Sequence, residues 1–160
     1  MRSFSLLRNI AFVSLLVLAF TPVAAFANDA IVDDGSVVTI ELTGNDALQY
    51  SLTEIKIPAG RKVKLTLKHI GNGAADTMGH NFVLLKPGND PIQFGLASAS
   101  ARATGFIPPE KKDAVIANTK VIGGGESVTI EFDAPAAGTY DYLCSFTGHF
   151  GTMKGKFIVE

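Results

Sequence analysis

Tryptophan is absent from the 160 residues, cysteine occurs once, and histidine and methionine occur three times each. The single cysteine, Cys144, excludes an intrachain disulfide and any zinc or iron–sulfur site built on several thiolates. Charge is scarce as well: 18% of residues are charged, 14 basic against 15 acidic. No basic stretch offers phosphate a landing surface, so nucleic acid is not an expected partner. At 47% hydrophobic the chain is too apolar for a disordered one. A long apolar run is also missing, because the stretch 10–20 contains Ser14 and ends at Thr21-Pro22, short of the ~20 residues that a membrane span requires.

What the first stretch does contain is the pattern of a secretory signal. Arg2 and Arg8 precede the apolar run, and Ala25-Phe26-Ala27 has the small-x-small form that signal peptidase accepts. Residues 1–27 are therefore expected to be cleaved, leaving an exported, periplasmic chain with no membrane insertion of its own. Residues 28–36 read as a flexible polar leader and 37–160 as one domain. Removing Arg2 and Arg8 from 14 basic residues leaves 12 against 15 acidic ones, a net charge of about -3. A lone thiol in an exported compartment is open to oxidation, so its presence asks for burial or metal ligation.

Beyond the leader the pattern has period two, the mark of strands with one buried face. Val38, Ile40 and Leu42 alternate with Thr39 and Glu41, and Val63, Leu65, Leu67 and His69 alternate with Lys62, Lys64, Thr66 and Lys68. That parity puts His69 on the apolar side as a satisfied core histidine, and the lysines on a solvated face. Further strands are read at 54–57, 81–85, 127–132, 138–143 and 154–159, with Gly/Pro turns between them. The fold class is all-β, a Greek-key β-sandwich. Alternation stops between Pro91 and Asn118, where an Ala-rich stretch at 95–103 is expected to form a short helical excursion outside the sheets, ended by Pro108-Pro109. Asn45 and Asp46 read as turn formers.

Near the C-terminus Cys144, His149 and Met153 stand as C-x4-H-x3-M in the loop between the last two strands. Thiolate, imidazole and thioether form a soft donor set, and one Cys, two His and a weak axial Met is the arrangement of electron-transfer copper. The second imidazole must be His69 or His80. His80 is the better candidate, since Met78-Gly79-His80-Asn81 leads straight into a strand that holds it rigidly. Zinc takes the same donors without redox chemistry. Copper delivery or storage is a second reading, against which three scattered methionines argue. A Cys144 nucleophile with His149 as base is a third, but the ligand loop offers no Asp or Glu to orient the base.

At these residues the chain resembles the azurins, the periplasmic blue copper proteins of the cupredoxin family. The likeness runs from about Val37 to Glu160 and includes Gly44-Asn45-Asp46, Met78-Gly79-His80-Asn81, the stretch 116–123, and Cys144 through Gly155. It implies about eight strands with one type 1 copper ion at one end. By position, His80, Cys144 and His149 are the implied equatorial ligands, Met153 the axial one, and the Gly79 carbonyl a distant contact. Asn81 is implied to tie the ligand loops together, and the Phe146 backbone N–H to point at the sulfur. Leu48, Met78, Phe146, Gly148 and His149 are the implied apolar docking patch, and redox proteins such as cytochrome c or a copper or haem reductase the implied partners. Val38 and Gly60 stand where azurins have their disulfide, Phe82 where they usually have Trp, and Thr147 where they commonly have Pro.

Overall fold

The computed structural model describes residues 30–160; the expected signal peptide, 1–27, lies outside them. Ten strands occur among the described residues: β1 (Ile31–Asp33), β2 (Val37–Asn45), β3 (Gln49–Tyr50), β4 (Glu54–Ile57), β5 (Lys62–His69), β6 (Val83–Leu85), β7 (Val115–Asn118), β8 (Ser127–Asp133), β9 (Gly138–Leu143) and β10 (Lys154–Val159). One α-helix, α1 (Pro91–Ser98), and 3-10 turns at Arg102–Thr104 and Pro109–Ala114 fill the space between β6 and β7. One five-stranded sheet runs β1-β2-β5-β8, with β3 also paired to β2; the other runs β4-β10-β9-β6-β7. The chain changes sheet between β3 and β4, β4 and β5, β5 and β6, β7 and β8, and β8 and β9, which closes the two layers on each other.

The alternation of β2 and β5 becomes cross-strand rows. Parallel pairing sets Val38 beside Val63, Ile40 beside Leu65 and Leu42 beside Leu67. Antiparallel β8 continues the rows with Phe132, Ile130 and Val128. All six of these residues of β2 and β5 are fully buried, and they meet Ile55, Ile57, Tyr142 and Phe157 from the other sheet, and Phe82 from the segment before β6, in one core. The opposite face of β5 is solvated as expected, with Lys62 pairing Asp133 at 2.9 Å. Surface pairs of this kind contribute little; the aliphatic rows carry the stability.

Four expectations need correction. Residues 28–36 are not only a leader: β1 lies in this stretch and pairs antiparallel with β2. The excursion between Pro91 and Asn118 is not wholly outside the sheets, because β7 at its end pairs with β6. The helix begins four residues before the Ala-rich run and ends within it, since the Asp90 side chain accepts from the Ile92 and Gln93 backbone N–H groups and Pro91 occupies the first turn, a start signal stronger than alanine propensity. The strand expected at 81–85 begins only at Val83; Asn81 and Phe82 are used in side-chain bonds instead. The two short strands β1 and β3 raise the count above eight.

β6 shows how the excursion serves the site. Its three residues are buried on both faces, Leu84 in the main core and Val83 and Leu85 beneath Phe94, Ile107 and Phe150. β2, β5 and β9 end at one pole of the sandwich, where β6 and β10 begin. Asn45, His69, Cys144, Met153 and the His80 segment all converge there.

Candidate metal centre

The spacing C-x4-H-x3-M closes into a compact loop. The Cys144 N–H donates to the Met153 carbonyl at 2.9 Å, the His149 N–H to Phe146 at 3.0 Å, and the Met153 N–H to His149 at 2.9 Å. His80 is clamped from the other side by reciprocal backbone bonds with Ile122, at 3.0 and 2.9 Å. Cys144 and His80 are 0% exposed and His149 is 4% exposed.

His80, Cys144 and His149 form a group of three donors within 4.8 Å of one another. His80 Nδ1 lies 3.2 Å from His149 Nδ1, and Cys144 Sγ lies 3.6 Å from His149 Nδ1 and 4.0 Å from His80 Nδ1. An ion held at about 2.0 Å from nitrogen and about 2.3 Å from sulfur spans donor separations of roughly 3.5 Å, so the triangle is already the right size. His80 Nε2 lies 3.0 Å from the Asn45 carbonyl. Because a carbonyl only accepts, this bond places the ring proton on Nε2 and leaves the Nδ1 lone pair facing the triangle. Thiolate with two imidazoles is the soft set that suits copper, and the residues present fit that metal.

Electrostatics leave the imidazoles free of their second proton but hold one on the sulfur. Burial, with His80 and then His69 nearby, lowers the His149 pKa to about 4. Burial and then His69 lower that of His80. Burial pushes the Cys144 thiol up to about 11, against the opposing pull of the Asn81 and Phe146 backbone N–H groups and the Tyr50 hydroxyl. At neutral pH the imidazoles are free bases and the sulfur carries a proton that a metal must displace.

Met153 is fully buried. Its methyl and the His80 ring both lie over Gly44, where a Cβ would sit 2.6 Å from Met153 Cε and 2.9 Å from His80 Cδ2. The Gly79 carbonyl oxygen is 4.0 Å from Cys144 Sγ. Asn81 is fully buried and joins the two ligand segments: its Oδ1 accepts from the Ser145 N–H at 2.9 Å, and its Nδ2 donates to Ser145 Oγ at 2.9 Å.

A family model described as copper binding proteins, plastocyanin/azurin family, matches residues 36–160. The chain belongs to this family. It is 40% identical over 122 residues to Azurin-1 of Alcaligenes xylosoxydans xylosoxydans, covering 73% of this chain and 93% of that one. It is 36% identical over 126 residues to Auracyanin-A of Chloroflexus aurantiacus, covering 77% and 75%. The solved structure of auracyanin A, a "blue" copper protein, superposes with a TM-score of 0.70 at 34% identity, over 78% of this chain and all of that one. An azurin from Methylomonas sp. strain J gives 0.67 at 33% identity, over 76% and 97%. The cofactor of this azurin-like cupredoxin is copper.

Around the donors, His69 has the satisfied environment expected of it. The Gly71 N–H donates to its Nδ1 at 3.0 Å, which leaves Nε2 to donate to the Met78 carbonyl at 3.0 Å. The alternation did not reveal that its ring stacks on His80, with centroids 4.1 Å apart and planes 11° from parallel. Asp46 does more than form a turn, since its carboxylate accepts from the Asn72 N–H at 2.8 Å and the Gly73 N–H at 3.2 Å. These bonds, Asn72 first, lower its pKa and pin the loop that leads to His80.

The expected patch is only partly a surface. Leu48 and Met78 are half-buried and Gly148 is exposed, but Phe146 is 5% exposed. Its ring packs between Phe106, with centroids 4.6 Å apart, and His149, at 4.8 Å. Phe146 forms a wall of the site and offers little surface of its own. Leu48 has φ 58°, unusual for a bulky residue, and its carbonyl accepts from Thr152 Oγ1 at 3.2 Å. Three contacts escaped the sequence altogether: the Asn45 carbonyl on His80, the Gly44 floor, and Tyr50, whose hydroxyl donates to the Asn81 carbonyl. Backbone carbonyls carry no residue-type signal. Tyr50 sits in a two-residue strand too short for periodicity to show.

Proposed function

We propose that this cupredoxin is a periplasmic one-electron carrier, exported by the signal at 1–27, with copper held by His80, Cys144 and His149, by Met153 as a weak axial ligand, and by the Gly79 carbonyl as a distant contact. The observation that carries the reading is the triangle of three buried donors, already the size of a ligated site and with both imidazoles free of their second proton. Copper supplies a couple between its two oxidation states when bound. The chain's part is to keep the donors still: His80 is fixed by Asn45 and Ile122, His149 by Phe146, and Cys144 by Met153 and the Asn81–Ser145 bonds. A preset donor frame keeps rearrangement small when the charge changes.

His149 is the donor with residual exposure, flanked by Gly148 and near the Leu48 carbonyl through Thr152. It supports electron entry and exit there, in brief encounters over a small apolar patch made of Leu48, Met78, Gly148 and the His149 edge. Redox proteins such as a cytochrome c or a copper or haem reductase are the proposed partners. Among the described residues no helix is long and apolar enough to cross a membrane. The complete burial of Cys144 and His80 argues against delivery or storage of copper, which needs ready exchange.

The test is a visible absorption titration of the chain without residues 1–27 with copper(II), followed by ascorbate. An intense thiolate-to-copper band should plateau at one equivalent and bleach reversibly, and Cys144→Ala should abolish it. A colourless product, or colour that survives Cys144→Ala, overturns the reading.

A further inference from the structure

The Asn81 carbonyl is a buried acceptor one residue beyond His80, and the donor it finds among the described residues is the Tyr50 hydroxyl. Tyr50 is 7% exposed and lies directly across the β2–β3 pair from Gly44, the residue beneath His80 and Met153. Its ring lies beside Tyr142, with centroids 5.7 Å apart. On the other side of Asn81, the side-chain amide holds Ser145, the neighbour of Cys144.

We infer that Tyr50 is a positioning residue of the copper site, whose hydroxyl fixes the Asn81 peptide and, through Asn81, the segment that presents Cys144. The inference rests on the copper reading above for its effect on potential, but not for its effect on the Asn81 contacts. A phenol buried this deeply needs a partner for its O–H, and this partner is the residue that bridges the two ligand segments. The O–H and the carbonyl it meets are two dipoles opposed inside the core. In a low-dielectric interior such dipoles act strongly, and donors near a metal-bound sulfur tune the metal. Removing the O–H takes away the positive end of a dipole and leaves the negative end of the Asn81 carbonyl dipole unopposed. Both changes make the site more negative and disfavour its gaining an electron.

Two variants separate positioning from general loss of stability. Tyr50→Phe keeps the ring and deletes the hydroxyl. Tyr140→Phe deletes a hydroxyl that is also bonded to a carbonyl, that of Ala136 at 2.6 Å, at the opposite end of β9. In the copper-loaded chain, Tyr50→Phe should make reduction about three- to tenfold less favourable, a potential lower by about 30 to 60 mV for a one-electron couple, with the visible band displaced; Tyr140→Phe should change neither. In the copper-free chain, amide exchange at Ser145 should speed up several-fold in Tyr50→Phe relative to Tyr140→Phe. A potential equal to that of the parent, a shift matched by Tyr140→Phe, or unchanged Ser145 exchange overturns the inference. Failure of the parent to develop a visible band overturns the copper reading instead, while the exchange measurement still decides whether Tyr50 holds Asn81.

Discussion

His80, His149 and Cys144 enter the apo site with protonation states opposite in kind. The imidazoles are held as free bases by burial, with His69 beside His80 and His80 beside His149, whereas burial keeps the thiol protonated, with its pKa at about 11. Copper(II) loading between pH 6 and 9 should therefore release one proton per chain, from Cys144, readable with a weakly buffered pH indicator. Two protons would mean a protonated imidazole, and none would mean a preformed thiolate. Stability of the copper-free chain follows from the same imidazoles. With a folded pKa of about 4 for His149 against ~6.5 unfolded, the unfolded chain binds more protons between these values. The contribution is complete above pH 6.5 and is lost as pH falls towards 4, on the order of 3 kcal/mol for His149 alone, with His80 acting in the same sense. Urea midpoints across that window measure it. At this scale the donor types and spacing were legible in the sequence, and so was the satisfied state of His69. The Asn45 carbonyl that sets the His80 tautomer was not, because every residue has one.

At the scale of elements, α1 carries a packing constraint that reaches the ligand loop. A Cβ at Gly95 would lie 2.1 Å from Phe150 Cγ, and Phe150 follows His149 in the chain. Alanine is ordinarily the better helix residue by about 1 kcal/mol. Here Gly95→Ala should instead destabilise by about 1–3 kcal/mol through overpacking, seen as a lower Tm, and should disturb the visible band by pushing Phe150. A Tm equal to or above that of the parent would show that the ring moves aside freely. Strands β4, β5, β9 and β10 were readable to the residue, β4 and β5 because each buries one face and so keeps strict alternation. β6 was not, since Asn81 and Phe82 leave the ladder for side-chain bonds, and β7 was hidden within a segment whose composition reads as loop. Alanine content alone places the helix too far along, because the Asp90-Pro91 start decides where it begins.

For the molecule as a whole, the aliphatic rows of β2, β5 and β8 hold the sandwich with no covalent staple. Val38, where azurins have one of their cysteines, is fully buried in the first of those rows. The absence of tryptophan leaves Phe82 to fill the core beside Tyr142, with centroids 5.3 Å apart, so the fluorescence that follows unfolding is that of tyrosine and not of tryptophan. The two-layer architecture and the copper pole were foreseeable from alternation and from the C-x4-H-x3-M loop. The anchoring of β1 was not, since a three-residue edge strand adds too little pattern to stand out from a polar leader.

β10 leaves Met153 and runs away from the copper pole for its whole length, Lys154–Val159, about 20 Å at ~3.3 Å per residue, before the chain reaches Glu160. β1 pairs with the same far half of the sandwich, against residues 38–40 of β2. The described C-terminus thus leaves from the pole opposite His149, whereas Ala30, whose carbonyl accepts from the Glu41 N–H at 2.8 Å, lies midway along β2. A linker appended to Glu160 and fixed to a gold surface should orient the molecules with the copper face towards solution, open to a soluble redox partner. Attachment through a cysteine introduced at Gly148 should invert them, bringing the site to the electrode and shutting the partner out.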